Sequence, residues 1–267
     1  MMVKVIGVIS LKGGVGKTSA VAALGAAFSE IGKKVLLVDG NLSSPSLGLH
    51  LGIINPERTL HHVLNRAARP KDAIYSYGNF DVMPASIFEK TQTNPLGLKD
   101  KINGLKRNYD VILIDSGPSI AEETLSVILS SDQVIAVTTP DHPTLSATIK
   151  AVKLAKQRGV PISGIVLNKV HDKDFEIPTE SIEETLDVPV LAVIPYDTNV
   201  LRALSRMEPS TTFKPKSKGS IEYKKLASIL VGEKYDEGAF NFRNFFGLDP
   251  KREEVNREIF YNRIFKE

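Results

Sequence analysis

Ser10-Leu11-Lys12-Gly13-Gly14-Val15-Gly16-Lys17-Thr18 places three glycines, two lysines and two hydroxyls in one short stretch. Each residue type has a task at a phosphate. Glycines let the backbone fold so that successive N–H groups point into one anion-sized hollow. Lys17 reaches the β- and γ-phosphates of a nucleotide, and the Thr18 hydroxyl can ligate Mg²⁺. Gly13, Gly14, Val15, Gly16, Lys17, Thr18 and Ser19 are therefore expected to line a nucleotide site.

That chemistry needs a frame. The apolar run Val3 to Ile9 reads as a buried strand, and Thr18 to Ile31 as an amphipathic helix. A strand, a Gly-rich loop and a helix in that order are what a phosphate loop requires. The helix N-terminus adds its partial positive charge at the same spot. Lys34 to Asp39 reads as a second strand that ends in a carboxylate. The resulting strand–helix–strand unit is parallel with a right-handed crossover, and ligands in such sheets sit at the strands' carboxyl ends. Asp39 then comes beside the loop, where it serves Mg²⁺ or caps the turn that follows. Tyr109 to Asp115 is another buried strand ending in a carboxylate, and Asp115 is expected to hold Mg²⁺ through water.

Further strands are expected at Gln133–Thr139, Ile162–Asn168 and Val190–Ile194, with two short ones around Gly78-Asn79. Helices are expected at Thr59–Asn65, Leu98–Lys106 and Thr144–Gln157, with Thr198 or Asn199 capping one more and Gly219–Val231 closing the fold. This alternation predicts an α/β fold, a doubly wound and mostly parallel sheet with helices on both faces.

The ordinary phosphate-loop pattern would have Gly at position 11, where this chain has Leu11, and the loop instead opens with Lys12-Gly13-Gly14. That opening resembles the deviant Walker A motif of the MinD/ParA family of P-loop ATPases, K-G-G-x-G-K-[ST]. The resemblance runs from Val3 to about Val231. Asp39-Gly40-Asn41 and Pro195-Tyr196-Asp197 make it most similar to MinD-type proteins of archaea. It implies an ATP- and Mg²⁺-dependent homodimer that closes face to face, reopens on hydrolysis and positions the division site or another cargo. Lys12 would cross the interface to the partner's nucleotide, and Lys12, Lys17 and the Asn41 position would carry catalysis. Asn41 stands where the family's switch I has its second Asp. An amide can hydrogen-bond water but cannot take its proton at neutral pH, so hydrolysis is expected to be slow. Ser116-Gly117-Pro118 resembles switch II, with its proline displaced. The resemblance also sets Asn168 at the adenine edge, Lys169 over the base, and Pro195 and Asp197 on the base's other side. Asn168 reads equally as a turn residue after a strand.

With 42% hydrophobic and 24% charged residues, the 267-residue chain has the composition of a soluble globular protein. No run of eighteen apolar residues and no basic-then-apolar leader is present, which points to the cytoplasm or the periphery of a membrane. Zero cysteines exclude disulfides, thiolate catalysis and iron–sulfur clusters. A net charge of +3 does not argue for nucleic acid. The basic run Lys214 to Lys218 leaves non-specific DNA binding, and hence a ParA-like partition role, as the alternative. His61 and His62 are neighbours on a helix and point apart, so they make no metal site.

The nucleotide domain is expected to span 1–232 and an aromatic extension 233–267. The extension holds six of the eleven phenylalanines, Phe240, Phe242, Phe245, Phe246, Phe260 and Phe265. It also has seven Lys/Arg against eight Asp/Glu, so it lacks the basic excess that draws a helix to anionic lipid. Asp249-Pro250 reads as a helix start. Docking on the chain itself, on a protein partner or on a membrane surface are the three destinations open to it.

Overall fold

In β1 (Lys4–Ile9), Val5 and Ile9 enter one core and Ile6 and Val8 another. β2 (Val35–Asp39) divides likewise, with Leu36 and Val38 on the first side and Val35 and Leu37 on the second. Strand side chains alternate with a period of two, so continuous apolar strands must be covered on both faces. The computed structural model describes residues 3–89, 93–118, 122–235 and 250–266. Its sheet has eight strands in the order β3-β4-β2-β5-β1-β6-β7-β8. The other strands are β3 (Tyr75–Tyr77), β4 (Phe80–Met83), β5 (Val111–Asp115), β6 (Gln133–Thr138), β7 (Ile162–Val170) and β8 (Val190–Pro195). All neighbours pair in parallel except β3 and β4, the hairpin around Gly78-Asn79.

On one face lie α1 (Lys17–Glu30), α2 (Leu47–His50), α8 (Thr198–Ser205), α9 (Ser210–Phe213) and α10 (Lys218–Leu230). The opposite face carries α3 (Leu60–Leu64), α4 (Leu98–Asn103), α5 (Glu122–Ser130), α6 (His142–Gln157) and α7 (Thr179–Leu186). α5 and α7 had no counterpart in the sequence reading. α4 stops at Asn103 instead of reaching Lys106, because Gly104 follows it and a separate 3₁₀ turn forms over Lys106–Asn108. α6 starts two residues before Thr144, since Asp141 accepts the Thr144 N–H at 2.9 Å and caps it. His61 accepts the Ser86 N–H at 3.1 Å and His62 turns to Thr59, so the adjacent imidazoles do point apart.

α11 (Arg252–Phe265) packs on β8 and α10. It starts after Lys251, whose N–H reaches Glu254 at 3.0 Å, and so not at Pro250. Asp249, Phe240, Phe242, Phe245 and Phe246 lie outside the described residues. The helix docks through Glu253, Arg257 and Phe260, spaced four and three residues apart, while Val255 and Ile259 are exposed. Its buried stripe is largely polar because it covers a sheet edge. Asn256 Nδ2 donates to the Val190 carbonyl and Arg257 Nη1 to that of Leu191, each at 2.8 Å. Covering an edge strand removes a template for unwanted pairing. Arg257 also pairs with Glu222 at 2.8 Å. Arg257→Ala leaves an edge carbonyl unmatched and that carboxylate with Lys225 alone at 3.4 Å, and is expected to lower stability by about 1–3 kcal/mol in urea denaturation. A midpoint equal to that of the parent would show that α11 contributes nothing there. Among the described residues no helix is long and apolar enough to cross a membrane.

Candidate functional site

Loop geometry follows from two glycines. Gly14 and Gly16 have φ of +80° and +88°, in the left-handed region that other residues avoid. A Cβ on Gly16 would stand 2.3 Å from Asn168 Nδ2, so that position also lacks room for a side chain. Asn168, near the end of β7, donates to the Val15 carbonyl at 2.7 Å, and Lys169 Nζ to that of Gly14 at 2.7 Å. Both residues thus brace the phosphate loop from a distant strand, with Asn168 buried against it.

Beneath the loop, strand register sets Asp39 directly opposite Asp115. Both are fully buried. Lys17 Nζ donates to Asp115 Oδ1 at 2.6 Å and to the Ser116 carbonyl. The Thr18 hydroxyl donates to Asp115 Oδ2 at 2.7 Å and lies 3.0 Å from Ser46 Oγ. Asp39 Oδ2 accepts the N–H groups of Ser46 at 3.1 Å and Leu47 at 3.0 Å. It therefore caps the start of α2, as one of the two sequence readings has it, and also faces Asp115. Burial pushes the Asp39 carboxyl up to about 7, and the charge of Asp115 adds to the rise. The Lys17 ammonium pairs with Asp115, and Asp39 has no ion pair of its own among the described residues. The oxygens of Thr18, Asp39 and Asp115 are the donor type that a hard ion such as Mg²⁺ takes.

Above these groups opens a cavity of about 440 Å³. Lys12, Gly13 to Ser19, Asn41, Asn168, Lys169, Pro195 and Asp197 all line it, whereas Asp39 and Asp115 lie below the lining. Lys12 is exposed, and its ammonium makes no hydrogen bond among the described residues. Asn41 closes a local turn, with Nδ2 donating to the Ser44 carbonyl and Oδ1 accepting the Ser44 N–H at 3.3 Å. Asp197 accepts the Asn199 N–H at 2.8 Å and so caps α8 itself, in place of Thr198 or Asn199.

Sequence reasoning passed over several lining residues, among them Ser46, His50, Leu204 and Tyr223. His50 Nδ1 lies 2.8 Å from the Ser46 carbonyl, and Nε2 lies 3.4 Å from Ser19 Oγ. A carbonyl only accepts, so Nδ1 carries the proton and Nε2 is left to accept from Ser19. Nothing in the sequence around His50 signals this. The spacing of Val200 and Leu204 on α8 was the one legible cue.

The CobQ/CobB/MinD/ParA nucleotide binding domain matches residues 6–210. The chain belongs to this family. An uncharacterized ATP-binding protein of Methanocaldococcus jannaschii is 32% identical over 239 residues, 88% of this chain and 90% of that one. The septum site-determining protein MinD of Thermotoga maritima is 30% identical over 243 residues, 87% of this chain and 89% of its own. Among solved structures, MinD of Pyrococcus horikoshii complexed with Mg-ADP superposes with a TM-score of 0.82 at 36% identity. That alignment covers 86% of this chain and 96% of that one. The family fold is the doubly wound sheet described above, and the match spans the phosphate loop.

Proposed function

We propose that this family member is an ATP-dependent dimerising switch of the MinD type, acting in spatial positioning at a division site or on another cargo. The observation that carries the reading is the division of labour between two lysines. Lys17 is buried and committed to the chain's own carboxylate, while Lys12 stands exposed at the cavity's rim with no hydrogen bond among the described residues. An exposed cation at the mouth of a phosphate site, with the Asp141 carboxylate as its charged neighbour, can serve a second molecule's phosphates. The likeness to MinD proteins supports the same reading.

Bound Mg²⁺ would neutralise charge on the β- and γ-oxygens, held by Thr18, Asp39 and Asp115. Gly13 to Thr18 would hold the phosphates, and Asn168, Lys169, Pro195 and Asp197 would bound the base. ATP then favours the closed dimer because it alone interacts with both halves. Asn41 spends its amide on Ser44 and carries no carboxylate, which supports slow turnover.

Lys12→Ala tests the reading. It is expected to keep ADP affinity, to lose the dimer formed with a non-hydrolysed ATP analogue in size-exclusion chromatography, and to slow phosphate release by about 10²-fold. A variant with dimer and turnover intact would remove Lys12 from this role. Retardation of plain duplex DNA by the ATP-bound protein, weakening with salt, would favour the partition alternative.

A further inference from the structure

The segment from Asn41 to Leu47 has no regular structure before α2 and is held by side chains. Asn41 and Ser46 donate their N–H groups to Asp39, and Ser44 donates to Asn41. Ser43 is the exception, because its N–H reaches Glu123 Oε1 at 2.9 Å and its hydroxyl Glu123 Oε2 at 3.2 Å. Asp39 and Asn41 belong to the strand end beside the nucleotide site. Glu123 does not, since it projects from the first turn of α5 and is outside the cavity lining.

The neighbouring residue extends the pattern. Thr124 donates its hydroxyl to the Gly117 carbonyl at 3.2 Å. A Cβ on Gly117 would stand 3.0 Å from Glu123 Oε2 and 3.3 Å from Asn41 Oδ1. Gly117 therefore leaves the space in which carboxylate and amide approach each other. The first turn of α5 thus grips both loops that border the phosphate site, 41–47 and 116–118.

We infer that Glu123 is a positioning residue for ATP turnover: acting through Ser43, it fixes where the 41–47 loop stands over the nucleotide. The inference rests on the ATPase reading above. A cation that draws on the Asp39 oxygens competes with the N–H groups of Asn41, Ser46 and Leu47, which those oxygens now accept. Glu123 has no such competitor. It remains the fixed point about which the loop rearranges, and it links that loop to α5.

Amide hydrogen exchange over 41–47, measured without nucleotide and with Mg-ADP, reads the clasp directly. Glu123→Ala is expected to raise exchange there by about tenfold in both states, as loss of a charge-assisted hydrogen bond would. Exchange in β1 and β5 should stay unchanged, which separates the effect from general unfolding. Turnover should fall by about tenfold with the affinity for a non-hydrolysed ATP analogue held, a loss of kcat without a loss of binding. Ser43→Ala should reproduce part of both effects and add nothing to Glu123→Ala, because interacting residues are not additive. Glu123→Gln, which keeps one acceptor oxygen, should restore part of the protection. Unchanged exchange in Glu123→Ala, or effects of the two substitutions that simply multiply, would overturn the inference. Absence of turnover in the parent protein would instead remove the ATPase reading, while the exchange comparison still decides whether Glu123 holds the loop.

Discussion

Lys17→Ala is expected to reduce ATP turnover by about 10³-fold, equivalent to about 4 kcal/mol of transition-state stabilisation. Lys17 is the cation buried at the base of the phosphate loop, on the first residue of α1, where the helix terminus adds to its charge. Lys12 cannot replace it from the exposed rim. The same substitution should also weaken the nucleotide-free protein. Asp115 is fully buried and loses its 2.6 Å ion pair, and removing one partner of a buried pair typically costs about 3–5 kcal/mol. Single-turnover phosphate release and urea denaturation measure the two effects. Turnover within tenfold of the parent would mean that the phosphates are not held by Lys17.

In the presence of a chelator, the protein should lose stability as pH rises from about 4 to about 7. The Asp39 carboxyl is raised in the folded state to about 7, from an ordinary value of 3.8. The folded state therefore binds this proton more tightly than the unfolded state does within that window. Unfolding free energy then falls with rising pH there, and the slope vanishes above the folded value. At ~1.36 kcal/mol per pH unit, the loss is on the order of 4 kcal/mol across the window. Asp39→Asn should remove the Asp39 share of the slope and leave the chelated protein more stable than the parent at pH 8. Its amide oxygen can still accept an N–H from the start of α2, so the cap survives in part. The stabilisation that Mg-ADP brings should shrink in the same variant, because a cation site has lost a carboxylate. Identical slopes in parent and variant would show that Asp39 is not the group that resists ionisation.

Both results turn on features that differ in how far along the chain they reach. Gly14, Gly16, Lys17 and Thr18 act within one turn of backbone, so glycine freedom and helix start are legible from adjacent residues. Strands ending in Asp39 and Asp115 announce themselves by continuous apolar runs, and parallel connection rules place both ends on the same side. That is why the sheet, its two covered faces and the carboxylates beneath the loop are legible in the sequence. Helix boundaries were less legible, as α4 and α6 show, because caps such as Asp141 compete with neighbouring candidates.

Sequence alone determined the phosphate loop, the α/β layering and the pair of strand-end carboxylates, since each follows from short-range backbone preference or a period of two. Only the tertiary structure decided which side chains complete the site. Asn168 meets Val15 across 153 residues, and Glu123 meets Ser43 across 80. The same holds for α11, which no apolar stripe predicts, because its buried face answers the exposed carbonyls of β8 with Asn256 and Arg257. Polar groups in a chain record no partner; the partner is fixed when packing excludes water and each buried donor must find an acceptor within reach.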